Sequence, residues 1–424
     1  MSVPYKPAGS IQNPTTSMGT ISDVPDSIEM RPVQLFAEDG APSRGLLYRR
    51  RGATRSVGIH VMHQRADLYN HYSILPLAMA GYSVLAHSAR WPNNDVSTVH
   101  ELLLLDMAAG LNFLTAQGCE RVILLGPAGG GSLAAFYQAQ AEAAKGTRLR
   151  ETPAGDPLDL NRFDLPEAAG VVLFGAHIGQ GAVLGKMIDP AVVDEFDPLA
   201  TDPDLDMYNP ANGFVMAPAS SSYSADFLRR YRAAQLLRVK RIDARARALL
   251  TRQRQAATVV ESLRDRATRE QVRASIVEHH LIVYRTTADP ACVDLSIDPD
   301  DRLVGSYHNT RPDLENYGAE GFSRVTTPRA WLSTWSALSS NALTVPNLTK
   351  VHAPVFITHH AGDAETRMNE VREMLDVTSA SDKQLHIVRG VEHSGFFINK
   401  AGSRGARTTE GVDVLRRWLE ERFP

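Results

Sequence analysis

The sequence predicts an α/β protein: a doubly wound, mostly parallel sheet that carries a large, mainly helical insertion. Short apolar runs with the length of strands alternate with segments whose apolar residues have helical spacing. The alternation stops near residue 177 and resumes near residue 346. Alternating strands and helices are typical of a parallel sheet with helices on both faces, so one α/β domain interrupted by an insertion is expected.

The elements before the insertion follow one another along residues 31–177. PVQLFA and GLLYRR flank the turn EDGAPS, which predicts a hairpin, and SVGIHVM predicts a strand buried on both faces. A helix over LYNHYSILPLAMAG, the strand YSVLAHSA and the helix HELLLLDMAAGLNFLTAQG come next. RVILLG predicts the fifth strand, PAGGG opens the helix SLAAFYQAQAEAA, and AAGVVLFGAH predicts the sixth strand.

Four regions result from this pattern. Residues 1–30, rich in Pro, Ser, Thr and Gly, form an N-terminal extension, and residues 31–177 form the first part of the core. Residues 178–345 form a cap, with a Pro/Asp-rich beginning, a helical middle and an aromatic-rich end. Residues 346–424 complete the core through APVFITHH (strand), NEVREMLDV (helix), KQLHIVRG (strand) and the closing helix GVDVLRRWLEERF.

Composition excludes several classes of protein. The 424 residues carry 45 Lys+Arg against 48 Asp+Glu and only two cysteines, a balance that favours an ordinary globular protein without a disulfide framework. The longest apolar runs are far below the ~20 residues of a membrane helix, and the amino terminus lacks a secretory pattern. We therefore expect a cytoplasmic protein with no membrane partner, no metal and no cofactor; a homo-oligomer is left open.

One basic stretch needs an interpretation. Between Asp226 and Arg273 there are 14 Lys/Arg and five Asp/Glu, but the only aromatics, Phe227 and Tyr231, lie at its start. Nucleic-acid binding would need interleaved aromatics, so no nucleic-acid partner is expected. The preferred interpretation is a solvated helical face whose arginines pair with acids elsewhere. An entrance that attracts anionic substrates is the alternative.

The segment RVILLGPAGGGSLAAFY carries the most chemical information. Gly126, Ala128 and Gly130 occupy the frame G-x-S-x-G, with alanine at the position of the serine. The central residue of this frame sits in a strained turn between a strand and a helix, so its neighbours two positions away must lack side chains. The turn directs the next N–H, here that of Gly129, at a developing oxyanion. The glycines do not fit G-x-G-x-x-G, which disfavours a dinucleotide site.

An acid and a base follow in the order expected of a catalytic triad. Asp363 lies in the loop AGDAET after one strand, and His393 lies in the loop VEHSGFF after the next. A histidine there can act as a general base whose tautomer the carboxylate fixes. Glu365 is the alternative acid.

These motifs resemble those of the α/β-hydrolase-fold serine hydrolases with an inserted cap. The resemblance covers about residues 32–177 and 346–424, through GPAGG and the loops of Asp363 and His393. It implies a nucleophile at position 128 and an oxyanion hole from the N–H groups of Gly129 and, in the segment MHQR, of Arg65 or Gln64. Ala128 departs from the family pattern, because it has no nucleophilic oxygen.

Two explanations of Ala128 are open. A Ser→Ala replacement would leave the acid, the base and the glycines in place, whereas a naturally inactive relative would have no selection to keep them together. Their presence in the expected order favours a replaced serine. A third idea makes Ser132 the nucleophile, but that residue is about one turn inside a helix, where its hydroxyl tends to bond a local carbonyl.

Other conspicuous residues are candidates for substrate contact. His177 follows the sixth strand, and Trp331 and Trp335, spaced i, i+4, are either cap core or walls of an acyl pocket. His359 and His360 suggest a metal pair, but adjacent residues of a strand point to opposite faces, which favours packing roles.

The resemblance implies a hydrolase, an esterase or lactonase, with a small acyl substrate. The apolar and aromatic residues of the cap favour a hydrophobic or aromatic substrate. Amide or carbon–carbon bond hydrolysis by the same triad is an alternative. An inactive small-molecule-binding protein is another.

Overall fold

The computed structural model describes residues 24–92, 94, 96–306, 310–319, 321–398 and 404–424. Most of the predicted N-terminal extension, residues 1–23, lies outside the described residues, as do residues 307–309 in the aromatic-rich end of the cap.

The core is an eight-stranded sheet in the order β1-β2-β4-β3-β5-β6-β9-β10. Strands β1 and β2 pair antiparallel, as do β2 and β4, and every other pair in the sheet is parallel. This is the predicted doubly wound, mostly parallel architecture. The strands are β1 Ile28–Phe36, β2 Pro42–Arg50, β3 Val57–His63, β4 Ser83–Ser88, β5 Arg121–Pro127, β6 Gly170–Phe174, β9 Val355–His360 and β10 Lys383–Val388, with four short strands outside the sheet, β7 Leu281–Ile282, β8 Val325–Thr326, β11 Phe396–Ile398 and β12 Arg404–Arg407.

Helices cover both faces of the sheet. Successive residues of a strand point to opposite faces of the sheet, so both faces of β5 need an apolar cover. Leu124 packs with the helices of one face, and Ile123 and Leu125 pack with those of the other. Helices α2, α3 and α10 contribute to the first cluster and α1 and α11 to the second. The helices are α1 Ile74–Met79, α2 His100–Ala116, α3 Gly129–Ala141, α4 Gln180–Met187, α5 Ala225–Val259, α6 Arg266–Arg273, α7 Pro312–Glu315, α8 Pro328–Ala330, α9 Thr344–Leu348, α10 Met368–Val377 and α11 Glu410–Arg422.

Two predicted elements differ in extent. The first strand starts at Ile28 rather than near Pro32, because it pairs along its whole length with β2, from Ile28 opposite Arg50 onwards. The helix predicted over residues 68–81 is shortened to α1. The segment before it turns instead, since the N–H of His71 donates to the carbonyl of Leu68.

The insertion has apolar cores of its own. Its middle is α5, a helix of 35 residues, and one cluster joins α4 and α5 to a π-helical turn, Trp331–Trp335. Two arginines of α5 pair with acids of other elements: the guanidinium of Arg232, which is partly exposed, lies 2.5 Å from Asp289, and that of Arg238 lies 2.8 Å from the Glu195 carboxylate. Arg238 is fully buried, so this part of the helix is not the solvated face that the sequence favoured. Among the described helices, none combines the length and the apolar character that crossing a bilayer requires.

Candidate functional site

The turn between β5 and α3 holds Ala128 in an unusual conformation. Its φ of 49° and ψ of −121° lie in a region that residues with a side chain rarely adopt. The N–H of Ala128 donates to the carbonyl of Phe174 at 3.1 Å, which fixes the turn against β6. Strain of this kind costs about 1–3 kcal/mol and is concentrated at functional sites.

The glycines around Ala128 are required by close backbone approach. A β-carbon on Gly126 would lie 2.2 Å from the carbonyl oxygen of Gly130, and one on Gly130 would lie 2.3 Å from that of Met62. The G-x-A-x-G frame therefore has the tight strand-to-helix packing that the sequence pattern predicted.

The loops after β9 and β10 bring Asp363 and His393 together. Nδ1 of His393 lies 2.6 Å from Oδ2 of Asp363, within the hydrogen-bond reach that a base and its orienting acid need. The other oxygen, Oδ1, accepts the N–H groups of Glu365 at 2.7 Å and Thr366 at 3.3 Å. These contacts orient the carboxylate of Asp363 towards the imidazole. It is Asp363, not the alternative Glu365, that bonds Nδ1.

Asp363 and His393 each stabilise the charged form of the other. Burial alone would raise the pKa of Asp363, but the charge and hydrogen bond of His393 hold that pKa well below its usual range. Burial alone would lower the pKa of His393, but Asp363 and Glu365 raise it to about 10. His393 is therefore an imidazolium at neutral pH, flanked by two carboxylates.

Glu365 lies on the opposite side of His393 from Asp363. Its Oε2 is 3.8 Å from Nε2 of His393, and its Oε1 is 3.7 Å from Nε2 of His177. Burial raises the pKa of Glu365, an effect that the positive charge of His393 opposes. A second carboxylate therefore lies beside the imidazole nitrogen that does not bond Asp363.

Two further histidines are neutral and have defined tautomers. The N–H of Gly179 donates to Nδ1 of His177 at 3.0 Å, and the N–H groups of Arg65 and Ala66 donate to Nδ1 of His63 at 3.1 and 2.9 Å. Burial lowers the pKa of His177 to about 3 and that of His63 well below its usual value. A neutral ring that accepts at Nδ1 carries its proton on Nε2, so both rings are N–H donors at Nε2.

Two buried glutamine side chains meet at Gly129. A β-carbon on Gly129 would lie 2.1 Å from Nε2 of Gln64 and 2.7 Å from Nε2 of Gln180. Within the described part of the chain, neither polar atom of the Gln64 side chain has a hydrogen-bond partner, nor does Oε1 of Gln180. Buried polar atoms are nearly always bonded, so these amide atoms can bond a water molecule or a polar ligand atom beside Gly129.

The predicted oxyanion donors have different surroundings. Gly129 is the first residue of α3, where N–H groups have no partner within the helix. The N–H of Arg65 is already engaged with His63, as described above. Its guanidinium lies 5.7 Å from the ring centre of Phe322 and 6.0 Å from that of Trp335, so its side chain belongs to the boundary between core and cap.

The cap tryptophans are buried in the cap core. Nε1 of Trp331 donates to Oδ1 of Asp243 in α5 at 2.7 Å, and Trp335 packs against Phe322 with ring centres 6.1 Å apart. Both indoles are fully buried. Of the two, Trp335 lies nearer to the site, through its contact with Arg65.

The remaining candidates have structural contacts. Oγ of Ser132 donates to the carbonyl of Gly129 at 2.8 Å, the local bond expected inside a helix. Nδ1 of His360 lies 3.1 Å from the carbonyl oxygen of His393, and its Nε2 lies 3.3 Å from the Tyr72 hydroxyl. Throughout the described residues, no group of three or more His, Cys, Asp or Glu side chains is arranged to hold a metal ion.

Sequence reasoning did not single out His63 or Gln180, and it named Gln64 only as a backbone donor. Gln64 belongs to MHQR after β3, and Gln180 to GAHIGQG after β6, both at the carboxyl edge of the sheet. Ligands of open α/β sheets bind at that edge. A polar residue directly after a central strand is therefore the sequence feature that could have identified Gln64 and Gln180.

Comparison with known proteins gave structural likeness only. No protein-family model matches the chain, and no curated protein matches it. Among solved structures, a hypothetical protein from Pseudomonas aeruginosa is 13% identical with a TM-score of 0.47, covering 94% of this chain and 95% of that one. An esterase from Pyrococcus furiosus is 12% identical with a TM-score of 0.44, covering 96% and 94%. An α/β hydrolase from Penicillium is 12% identical with a TM-score of 0.44, covering 93% and 98%. Because these sequence identities and TM-scores are low, the fold assignment rests on the strand order and on the turn at Ala128.

Proposed function

We propose that this is the site of a serine-type acyl hydrolase in which alanine occupies the nucleophile position. The observation that carries the proposal is the 2.6 Å hydrogen bond between His393 and Asp363. Both residues follow parallel strands whose carboxyl ends share the sheet edge with the strained turn at Ala128. This is the order and placement that a Ser-His-Asp triad needs.

With serine at position 128 the reaction would proceed through an acyl-enzyme. The serine oxygen would attack the acyl carbonyl, and neutral His393 would accept its proton at Nε2 while Asp363 orients the ring. Gly129 would donate its N–H to the oxyanion. We assign the second donor to Gln64 rather than Arg65, because the Arg65 N–H already bonds His63 and the Gln64 amide lies beside Gly129. Water activated by His393 would release the acid.

The proposed substrate class rests on the apolar cap. Trp331 and Trp335 are fully buried in the cap core, and Trp335 lies behind Arg65, so they support a hydrophobic or aromatic carboxylic ester or lactone only as the inner layer of the cap. Amide and carbon–carbon bond hydrolysis use the same groups. The second candidate function is binding of such an acyl compound without turnover, and the alanine at position 128 favours it for the chain as it stands.

Ala128→Ser tests the proposal. The variant is expected to form a covalent adduct with a fluorophosphonate, detected by mass spectrometry, and to hydrolyse aryl esters. The parent chain should turn them over about 10⁴–10⁶-fold more slowly. Ala128→Ser/His393→Gln should lose labelling, whereas Ala128→Ser/Ser132→Ala should keep it, since Ser132 bonds the Gly129 carbonyl. A folded Ala128→Ser protein without adduct would contradict the triad.

A further inference from the structure

Arg367 is a buried cation beside the loop that carries Asp363. It is 4% exposed and directly precedes α10. One terminal guanidinium nitrogen donates to the backbone carbonyl of Asp363 at 3.2 Å, and the backbone N–H of Arg367 donates to the carboxylate of Glu370 at 3.0 Å. Arg367 therefore fixes both ends of the segment between Asp363 and α10.

The same guanidinium contacts the cap. Its other terminal nitrogen lies 3.6 Å from Oδ2 of Asp289 and 3.5 Å from Sγ of Cys292, two buried residues of the insertion. Burial alone would raise the pKa of Asp289, but Arg232 and Arg367 lower it to about 2, so the carboxylate is ionised at neutral pH. Arg367 thus joins an ionised side chain of the cap to the backbone of the Asp363 loop.

Asp289 is itself held by two helices of the cap. The guanidinium of Arg232 in α5 lies 2.5 Å from Oδ1 of Asp289 and donates to the carbonyl of Lys186 in α4 at 3.0 Å. The ammonium of Lys186 pairs with the carboxylate of Glu370 in the first turn of α10. The contacts therefore form a closed ring of charged residues that runs from Arg367 through the cap and back to Glu370.

Stability alone does not account for this ring. Charges lose hydration when they are buried, and replacing a buried ion pair by apolar side chains is often neutral or stabilising. A guanidinium adds direction, because its donors have a fixed planar geometry. Direction matters at Asp363, because the residue whose carbonyl bonds Arg367 must also aim its carboxylate at Nδ1 of His393.

We infer that Arg367 is a positioning residue through which the cap holds Asp363 in line with His393. The inference rests on the proposed function in taking Asp363 as the acid that orients the catalytic base. Arg367 acts on the reaction through the Asp363 loop and not through contact with the substrate. When its bonds to the loop or to Asp289 are removed, the loop gains freedom and the hydrogen bond between Asp363 and His393 weakens.

Titration of His393 in the unmodified chain tests the inference without a serine at position 128. The imidazole is followed by NMR of protein labelled with ¹⁵N-histidine, and its signals are assigned by their loss in His393→Gln. Arg367→Gln should lower the pKa of His393 from about 10, so that its imidazolium loses a proton at least about tenfold more readily. Loss of the Arg367 charge by itself would raise that pKa, because a cation disfavours a nearby imidazolium. The sign of the change therefore separates positioning from a direct effect of charge.

Three further variants separate positioning from folding. Arg367→Lys keeps the charge but not the planar fork, and Asp289→Asn acts from the cap; both should lower the pKa of His393, by less than Arg367→Gln. Arg372→Gln, which alters an exposed arginine on α10, should leave the titration unchanged. A pKa of His393 that is unchanged or raised in the folded Arg367→Lys and Asp289→Asn proteins would overturn the inference, whether or not Arg367→Gln folds.

Kinetics in the Ala128→Ser protein give a second measurement. Arg367→Gln should lower kcat about 10–10²-fold at pH values where His393 is neutral, a smaller loss than removal of the acid itself, with KM unchanged. An unchanged kcat would contradict the positioning role. Failure of Ala128→Ser to react with the fluorophosphonate would instead contradict the proposed function and leave the titration result in force, so the two proposals fail separately.

Discussion

Ala128 and Glu365 are the two residues in which this site differs from a simple Ser-His-Asp arrangement. Ala128 has the strained backbone of a nucleophile turn without a nucleophile, and Glu365 places a second carboxylate 3.8 Å from Nε2 of His393. Backbone strain such as that at Ala128 is concentrated at functional sites. The site is therefore better described by two carboxylates around one imidazolium than by a triad alone.

The pH dependence of the Ala128→Ser hydrolase follows from this arrangement. His393 must lose its proton to act as the base, and its pKa is raised to about 10, so kcat/KM should rise with pH through the alkaline range. Glu365→Gln removes a negative charge 3.8 Å from Nε2, which lowers the pKa of His393. Each unit of lowering should raise activity at neutral pH about tenfold.

The measurement is the kcat/KM profile of an aryl ester for Ala128→Ser with and without Glu365→Gln. Glu373→Gln, which alters an exposed carboxylate on α10, is the matched control and should not move the profile. Glu365→Gln is therefore expected to speed hydrolysis near pH 7 in the serine variant. An unchanged pH profile of kcat/KM in the Glu365→Gln variant would show that Glu365 does not influence the pKa of His393.

At the scale of elements, the contact between α5 and the turn Trp331–Trp335 fixes the cap. Asp243 accepts from Nε1 of Trp331 at 2.7 Å and from Oγ of Ser336 at 3.0 Å. One carboxylate thus satisfies two buried donors on a neighbouring element. The long basic helix is positioned by this acid on its inner face, whereas pairs such as Arg230 with Asp226 lie on its exposed face.

Removing this acid should destabilise the protein. Asp243→Ala leaves the indole N–H of Trp331 and the hydroxyl of Ser336 buried without an acceptor, at about 1–3 kcal/mol for each group. Urea unfolding should therefore show a markedly lower midpoint. Asp226→Ala, on the exposed face of the same helix, should cost less than about 1 kcal/mol. Equal effects of the two substitutions would contradict the anchoring role.

At the scale of the whole molecule, cap and core are joined by hydrogen bonds, some buried and some at the surface. Oγ of Ser333 donates to Glu101 at the start of α2 at 2.6 Å, and Oγ1 of Thr344 donates to the carbonyl of His177 at 2.8 Å. The N–H of Gly390 donates to Asp301 of the cap at 2.9 Å. The cap is therefore attached at several points around the sheet edge rather than by its two connections alone.

These contacts predict one cooperative transition for the whole chain, although chains of this size often unfold in steps. Scanning calorimetry should give a calorimetric enthalpy equal to the van't Hoff enthalpy. Glu101→Ala leaves the hydroxyl of Ser333 without its acceptor and should lower Tm. Two resolved transitions in the parent chain would mean that the cap unfolds independently of the core.

The sequence by itself determined the parallel sheet, the turn at position 128 and the pairing of Asp363 with His393. Strand and helix periods, and the glycines at 126 and 130, are local properties that the chain displays without its fold. The order of Asp363 and His393 after successive strands was enough to predict their hydrogen bond, because the carboxyl ends of parallel strands meet at one edge.

Only the tertiary structure decided what surrounds that pair. The placement of Glu365 beside Nε2 of His393, of Gln180 beside Gly129, and of the Arg65 N–H on His63 depends on side-chain directions in loops. Loops have no repeating period from which a direction could be inferred. Whether a buried polar group is bonded depends on residues distant along the chain, so the surroundings of Gln64, Glu365 and His393 became visible only in the folded protein.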